Sequence, residues 1–253
     1  MVTLALDTSH PVGSTALARD GVVLGEIRFD PPSSHLVELS RAVESLLASS
    51  KLTMRDVDRV AVVLGPGSFT GVRIALAFAK GLAAAGAEVV GMESLRLLAM
   101  PLLIDTKHRR VCAMIDAKRE EVYAAVYERA RTPRAGKSAP AVEEVVAARA
   151  ESPAAFLDAL ARAPDVFVGT GALIHHDLIA ARFPRAEVAD SAHAMPSTAV
   201  FAAIAHALPA YERAAVRTLE PVYLRASGAE RKRLRAHVPA PAAENEAETG
   251  RDD

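Results

Sequence analysis

Tryptophan is absent from this 253-residue chain, aromatic residues make up only 4% of it, and it holds one cysteine. A core without large rings has to be built from Ala, Val and Leu, and stacking platforms for single-stranded RNA are scarce. The lone Cys112 excludes an internal disulfide and suits a reducing compartment. Set in an apolar, strand-like run, it reads as a small buried hydrophobe. An excess of one charge is missing too. The formal net charge is −1, so no global positive field recruits nucleic acid. No apolar run reaches the roughly 18 residues of a membrane span, and the first residues show neither a basic n-region nor a signal-type segment. The expectation is a soluble, cytoplasmic protein with no membrane contact.

What is present is concentrated in GPGSFTGVRIALAFAKGLAAAG, from Gly65 to Gly86. The apolar run Arg59 to Leu64 before it reads as a buried strand. Gly65, Gly67 and Gly71 then take the chain through a sharp turn, and Ser68 or Thr70 caps the helix that follows. A glycine-rich turn first suggests a nucleotide. A Walker loop needs GxxxxGK[ST], but Gly65 and Gly71 stand one residue too far apart and Val72 takes the place of the lysine. The dinucleotide pattern GxGxxG fails by one residue as well. A helix start still attracts anions, so a phosphate site remains as an alternative to a structural turn.

The helix itself is two-sided. From Val72 to Ala85 its only charges are Arg73 and Lys80, and a helix apolar nearly all round is buried on more than one side. One side covers the sheet; the other needs a partner. Ala75, Ala77, Ala79 and Gly81 would let a second helix approach closely, Ile74 and Phe78 would anchor it, and Arg73 and Lys80 would form the rim. The competing reading is that the protein's own sheet and a neighbouring helix consume both faces.

Along the chain, Val2–Asp7, Gly13–Arg19 and Gly21–Phe29 read as strands, with Asp20–Gly21 as a hairpin signal. Ser33 or Ser34 caps a helix with the apolar stripe Leu36, Leu39, Val43, Leu46 and Leu47. Strand 59–64, the two-sided helix, strand 88–92 and a helix after Ser94 complete the first half. The second half restarts at Arg110, with a hairpin of 111–116 and 121–127. Helices near 153–162 and 196–207 then flank strand 165–169. This pattern suggests α/β with a mixed sheet in each half. Segment 130–140 reads as a flexible loop, and 227–253 as a disordered tail. Arg231, Lys232, Arg233 and Arg235 in that tail offer cations to phosphates, but nearby acids offset them.

Catalytic constellations are sparse. Histidines stand at 10, 35, 108, 175, 176, 193, 206 and 237, and no two are four apart, so no helical pair presents two rings to one cation. No metal site is expected. No GxSxG elbow occurs, and Cys112 lacks any signature of activation.

Four motifs carry a resemblance. GPGSFTGVR, an opening VTLALDTS (Val2–Ser9), a central IDAKREEVY (Ile115–Tyr123) and a closing LEPVYLR (Leu219–Arg225) resemble the TsaB family, bacterial proteins needed for threonylcarbamoyl modification of tRNA. The motifs run in the family's order across nearly the whole chain. One departure is Glu120, where the family commonly has glycine. The resemblance implies an α/β fold of two tandem actin-like, Hsp70-like domains with mixed sheets flanked by helices. Here these would be 1–106, carrying the partner face, and 107–226, followed by the tail. It implies a non-catalytic, cofactor-free scaffold that pairs with TsaD, supports the ATPase TsaE and meets tRNA through the complex. That complex modifies the adenosine next to the anticodon in tRNAs reading ANN codons. Alone, the chain is expected to homodimerise. The resemblance also implies a vestigial nucleotide cleft at Asp7, Thr8, Ser9, Asp116, Gly169 and Gly171, with Pro11 stiffening the loop after Asp7. The alternatives are a free-standing ATP-dependent small-molecule kinase of the same superfamily and direct tRNA binding.

Overall fold

Alternation along the first strand decides which helices cover which face. The computed structural model describes residues 1–30, 34–105, 107–130 and 142–225. In β1 (Val2–Asp7) every residue is buried, with Leu4 and Leu6 on one face and Ala5 on the other. β2 (Gly13–Arg19) and β3 (Val22–Phe29) complete an antiparallel meander. Asp20 and Gly21 join them at φ 50° and 82°, the left-handed pair that a two-residue hairpin needs. Helix α1 (His35–Ser49), strand β4 (Arg59–Val63), helix α2 (Phe69–Ala84), strand β5 (Glu88–Met92) and helix α3 (Ser94–Ile104) follow. β4 lies parallel to β1, and β5 to β4, giving the order β3-β2-β1-β4-β5.

The second half repeats that plan. β6 (Arg110–Lys118), β7 (Glu121–Arg129) and β8 (Val142–Glu151) form a second antiparallel meander. α4 (Pro153–Asp158), β9 (Val166–Val168), α5 (Thr170–Ile174), α6 (His176–Arg182) and β10 (Glu187–Val188) follow, with β9 parallel to β6 and β10 to β9. The order β8-β7-β6-β9-β10 matches the first sheet strand for strand. The fold is α/β with two mixed sheets flanked by helices. Helices α7 (Thr198–Ala205) and α8 (Arg213–Thr218) close the described chain.

The leucine and valine face of the first sheet packs under α1 and α2, through Leu39, Val43, Leu76 and Ala79. Its alanine face, Ala5, Ala16, Ala18 and Ala61, lets Phe201 and Ala202 of α7 sit close. In the second sheet, Val111, Ala113 and Ile115 pack on α3, while Cys112 and Met114 face α4 and α6. The strands of the two sheets fall on either side of residue 106, whereas the helices cross it. α3 covers the second sheet while sending Leu97 and Met100 to the first, and α7 and α8 return to the first sheet and to α2.

Several sequence expectations need correction. Leu36 is 52% exposed rather than part of the buried stripe, because α1 lifts off the sheet at its first turn, where Ser34 caps it. The third strand of the second meander, β8, was not expected: its VEEVVAARAE sequence is half polar because it is an edge with one wet face. Likewise unexpected were α5, α6, β10 and α8, all seven residues or shorter. The helix expected over 153–162 stops at Asp158, and that over 196–207 spans only Thr198–Ala205. Residues 131–140 of the expected loop and the whole expected tail lie outside the described residues.

Candidate functional site at the seam of the four motifs

The carboxyl ends of the parallel strands point at one another across the two sheets, where open α/β sheets place ligands. β1 ends in Asp7-Thr8-Ser9, β4 runs into Gly65, β6 ends at Asp116, and β9 leads into Gly169. The glycines of the GPGSFTG turn are needed for backbone contact. A Cβ on Gly71 would overlap the Thr8 carbonyl oxygen, and one on Gly67 the Ser9 carbonyl oxygen. Thr8 Oγ1 donates to Gly71 O at 2.6 Å and Ser68 N donates to Ser9 O at 2.7 Å. Ser68, not Thr70, caps α2, accepting from Gly71 N. This turn is therefore filled by the protein's own first strand, which favours the structural reading of its glycines over a phosphate cradle.

The closing motif joins the same seam. Val222 N donates to Leu64 O at 2.7 Å, and a Cβ on Gly65 would lie 3.1 Å from Val222 O. Arg225 pairs with Glu121 at 2.8 Å and donates to Ala117 O at 3.3 Å, both in IDAKREEVY. Glycine-rich turn, opening strand, central hairpin and closing segment thus form one continuous unit, although they are spread from Val2 to Arg225.

Between the sheets lies a cavity of about 370 Å³ lined by Ser9, His10, Ser68, Asp116, Lys118 and Thr170 on its polar side. Asp7 is buried and its carboxylate accepts from Ser9 N at 2.8 Å, so this acid shapes the turn after β1. Burial pushes Asp116 up, but its bonds from Lys118 Nζ at 2.6 Å and Lys118 N at 2.8 Å, with His175 nearby, outweigh burial and hold the carboxyl below its usual range. Asp116 N donates to Thr170 Oγ1 at 3.1 Å. Gly169, at φ 109°, and Gly171 press on the backbone of Met114 and Ile115. Of the six residues expected to form a cleft, Ser9 and Asp116 line the cavity, whereas Asp7, Thr8, Gly169 and Gly171 do not, and both acids are engaged by the protein itself.

A Ser–His–Asp grouping is present, and its geometry argues against a nucleophilic relay. His10 Nδ1 lies 2.8 Å from Ser9 Oγ and 3.9 Å from Asp7 Oδ2, so serine and acid face the same ring nitrogen. A relay needs them on opposite nitrogens. His10 is 3% exposed, its Nε2 has no partner among the described residues, and burial lowers its pKa against the opposing Asp7 charge. Burial also drives the Cys112 thiol far up, leaving it inert. Among the described residues no group of three or more His, Cys, Asp or Glu side chains could hold a metal ion.

On α2 the face away from the sheet is open. Arg73, Ala77 and Gly81 are exposed, and Ile74 and Phe78 are partly buried. Ala75 and Ala79, expected on this approach face, are buried against the sheet, because a 100° step carries them to its opposite side. Lys80 is not a free rim charge: its ammonium donates to Arg217 O at 3.1 Å and holds the end of α8. At the other end of α2, Phe69 (40% exposed) stacks on Tyr223 (42% exposed) with centroids 5.2 Å apart. The Arg73 guanidinium sits 3.8 Å over the Phe69 ring.

Comparison with known proteins agrees with this arrangement. A family model described as TsaD: tRNA N6-adenosine threonylcarbamoyltransferase matches residues 32–233. The chain belongs to the family that this model describes. It is 38% identical over 131 residues to the tRNA threonylcarbamoyladenosine biosynthesis protein TsaB of Escherichia coli, covering 51% of this chain and 56% of that one. Identity to the Bacillus subtilis TsaB is 34% over the same shares. The chain thus spans little more than half the length of the curated TsaB relatives it matches. A crystal structure from Pseudomonas aeruginosa, described as an uncharacterized protein with similarity to peptidase YeaZ, superposes with a TM-score of 0.70 at 28% identity. It covers 88% of this chain and 99% of that one. The TsaB resemblance of the four motifs is borne out. Sequence reasoning within this family missed His10, Phe69 and Tyr223. The aromatic pair was legible only as one residue in each of two distant motifs.

Proposed function

We propose that this chain is a non-catalytic scaffold of the bacterial machinery that installs threonylcarbamoyl on N6 of the tRNA adenosine next to the anticodon, in tRNAs reading ANN codons. It pairs with TsaD through the open face of α2 in an N-terminal domain, residues 1–106, and supports the ATPase TsaE. The observation that carries this reading is the α2 face itself. Ala77 and Gly81 offer close approach, Ile74 and Phe78 lie alongside, and the exposed Phe69–Arg73–Tyr223 cluster has the composition of an interface anchor. Without TsaD the same patch pairs two copies of the chain in the cytoplasm. The scaffold role is further supported by acids and glycines that are spent on the protein's own turns at the seam. Light scattering after size exclusion, on the chain alone and with TsaD of the same organism, tests it. A one-to-one complex should replace a homodimer, and Ala77→Glu, which buries an unpaired charge in the contact, should abolish it. A normally folded Ala77→Glu chain that still pairs with TsaD refutes the α2 assignment.

A further inference from the structure

Where α2 meets α8, a cavity of about 210 Å³ gathers cations without an acid. Lys80, Ala83 and Ala84 of α2 form one wall, and Arg213, Val216 and Arg217 of α8 form the other. Ala83 and Val216 are buried and give the cavity an apolar floor, while Arg213 and Arg217 are exposed. Spacings of three and four set both arginines and Val216 on one face of α8. Lys80 Nζ spends one hydrogen on Arg217 O at 3.1 Å, which holds the ammonium at the cavity and leaves two hydrogens to donate. Glu212 and Glu220, the acids on either side of α8 in the chain, do not line it. The whole chain has a net charge of −1, so this concentration of positive charge is local.

The cavity also ends the open stripe of α2. Arg73, Ala77, Gly81 and Ala84 are all exposed, and steps of three and four place them along one side of the helix. From Phe69 to Ala84 the helix has no acidic residue. Every charge on α2 and around the cavity is therefore positive: Arg73, Lys80, Arg213 and Arg217. A second copy docked about a two-fold axis would present the same patch to itself, setting cations against cations. A protein surface bearing carboxylates would instead meet two guanidinium forks and a lysine over an apolar floor. We infer that this corner receives acidic side chains of the protein that docks on α2. The inference deepens the scaffold reading and rests on it: the α2 stripe supplies the contact, and the corner supplies the choice of partner.

Stopped-flow association of the full chain with TsaD of the same organism, at about 50 mM and about 500 mM NaCl, tests it. The rate constant should fall by about tenfold or more at the higher salt, because the attraction is screened. Arg213→Ala with Arg217→Ala should remove most of that salt dependence, and Arg213→Lys with Arg217→Lys should keep it. A rate indifferent to salt overturns the inference while leaving the scaffold reading intact, and so does a double alanine variant with the original salt dependence. If no complex forms, the scaffold reading fails, and the isolated chain still decides the corner. Hexaglutamate should then move the Arg213 and Arg217 Nε resonances saturably at low salt, and hexalysine should not. No movement with hexaglutamate overturns the inference. Tighter binding of hexauridylate also overturns it, since RNA phosphate would then be the occupant.

Discussion

At the residue scale, glycine serves opposite purposes in one stretch of chain. Gly71 is held by contact, since any Cβ there meets the Thr8 carbonyl, whereas a Cβ on Gly81 would meet nothing within 4 Å. Gly71→Ala should therefore cost about 3 kcal/mol, the upper end of overpacking. Gly81→Ala should stabilise the free chain by about 0.5–1 kcal/mol. Urea unfolding of both variants checks the pair, and a neutral Gly71→Ala would remove the contact argument. The β6–β7 hairpin presents the reverse case. Lys118, Arg119 and Glu120 all adopt left-handed backbone, at φ 61°, 58° and 63°, with no glycine among them. Each such residue costs roughly 1–2 kcal/mol, so Glu120→Gly should raise stability by about 0.5–1 kcal/mol net of the entropy glycine adds to the unfolded chain. The departure from the family motif was legible in the sequence. That three consecutive residues share the strain was not, because it depends on the hairpin register.

At the scale of elements, Arg59 of β4 explains how a late helix is fastened to an early sheet. Its Nη1 donates to Ala205 O at 2.6 Å, to His206 O at 3.2 Å and to Leu208 O at 3.0 Å, and its Nε donates to Glu88 at 2.9 Å. These carbonyls lie at and just beyond the C-terminal end of α7, where helical partners run out. Arg59→Met should cost about 3 kcal/mol, because it leaves buried carbonyls unpaired. Limited proteolysis should then cut first within residues 194–225. A variant that unfolds with no early cleavage in that segment would mean that α7 is held by its apolar face alone. Nothing local marks Arg59 for this role. In the sequence it is the polar first residue of an apolar strand, and its partners lie up to 149 positions away.

At the scale of the whole molecule, the seam couples the two halves and makes stability depend on pH. Burial lowers His10 against the raising influence of Asp7, and lowers His35 against Asp7 and Asp30. In the unfolded chain both protonate near their ordinary value of 6.5, while in the folded chain they resist. The unfolded state therefore takes up more protons as pH falls below 6.5, and stability declines there while staying level above. The urea midpoint should drop between about pH 7.5 and about pH 5.5, and by less in His10→Phe. An unchanged midpoint would mean that the two rings are protonated without cost. Asp116, Asp20 and Asp56, held low by their partners, act only below their ordinary value of 3.8, outside this window.

Most of the strands, a cap at Ser68 or Thr70, two related halves and the family resemblance were readable from residues alone, whereas β8 and β10 were not. Strand alternation, glycine placement and capping are short-range properties, and four motifs in a fixed order are a property of the chain. Only the tertiary structure decided that Ala77 and Gly81 are open while Ala75 and Ala79 are covered, and that Lys80 holds α8. It also decided that α3 and α7 cross between the halves. A helix's periodicity states that it has faces, but which face is covered depends on what the distant chain brings to it. The same holds for the seam. Gly71 and Arg225 read locally as a turn residue and a segment end, and long-range pairing set Gly71 against Thr8 and Arg225 against Glu121.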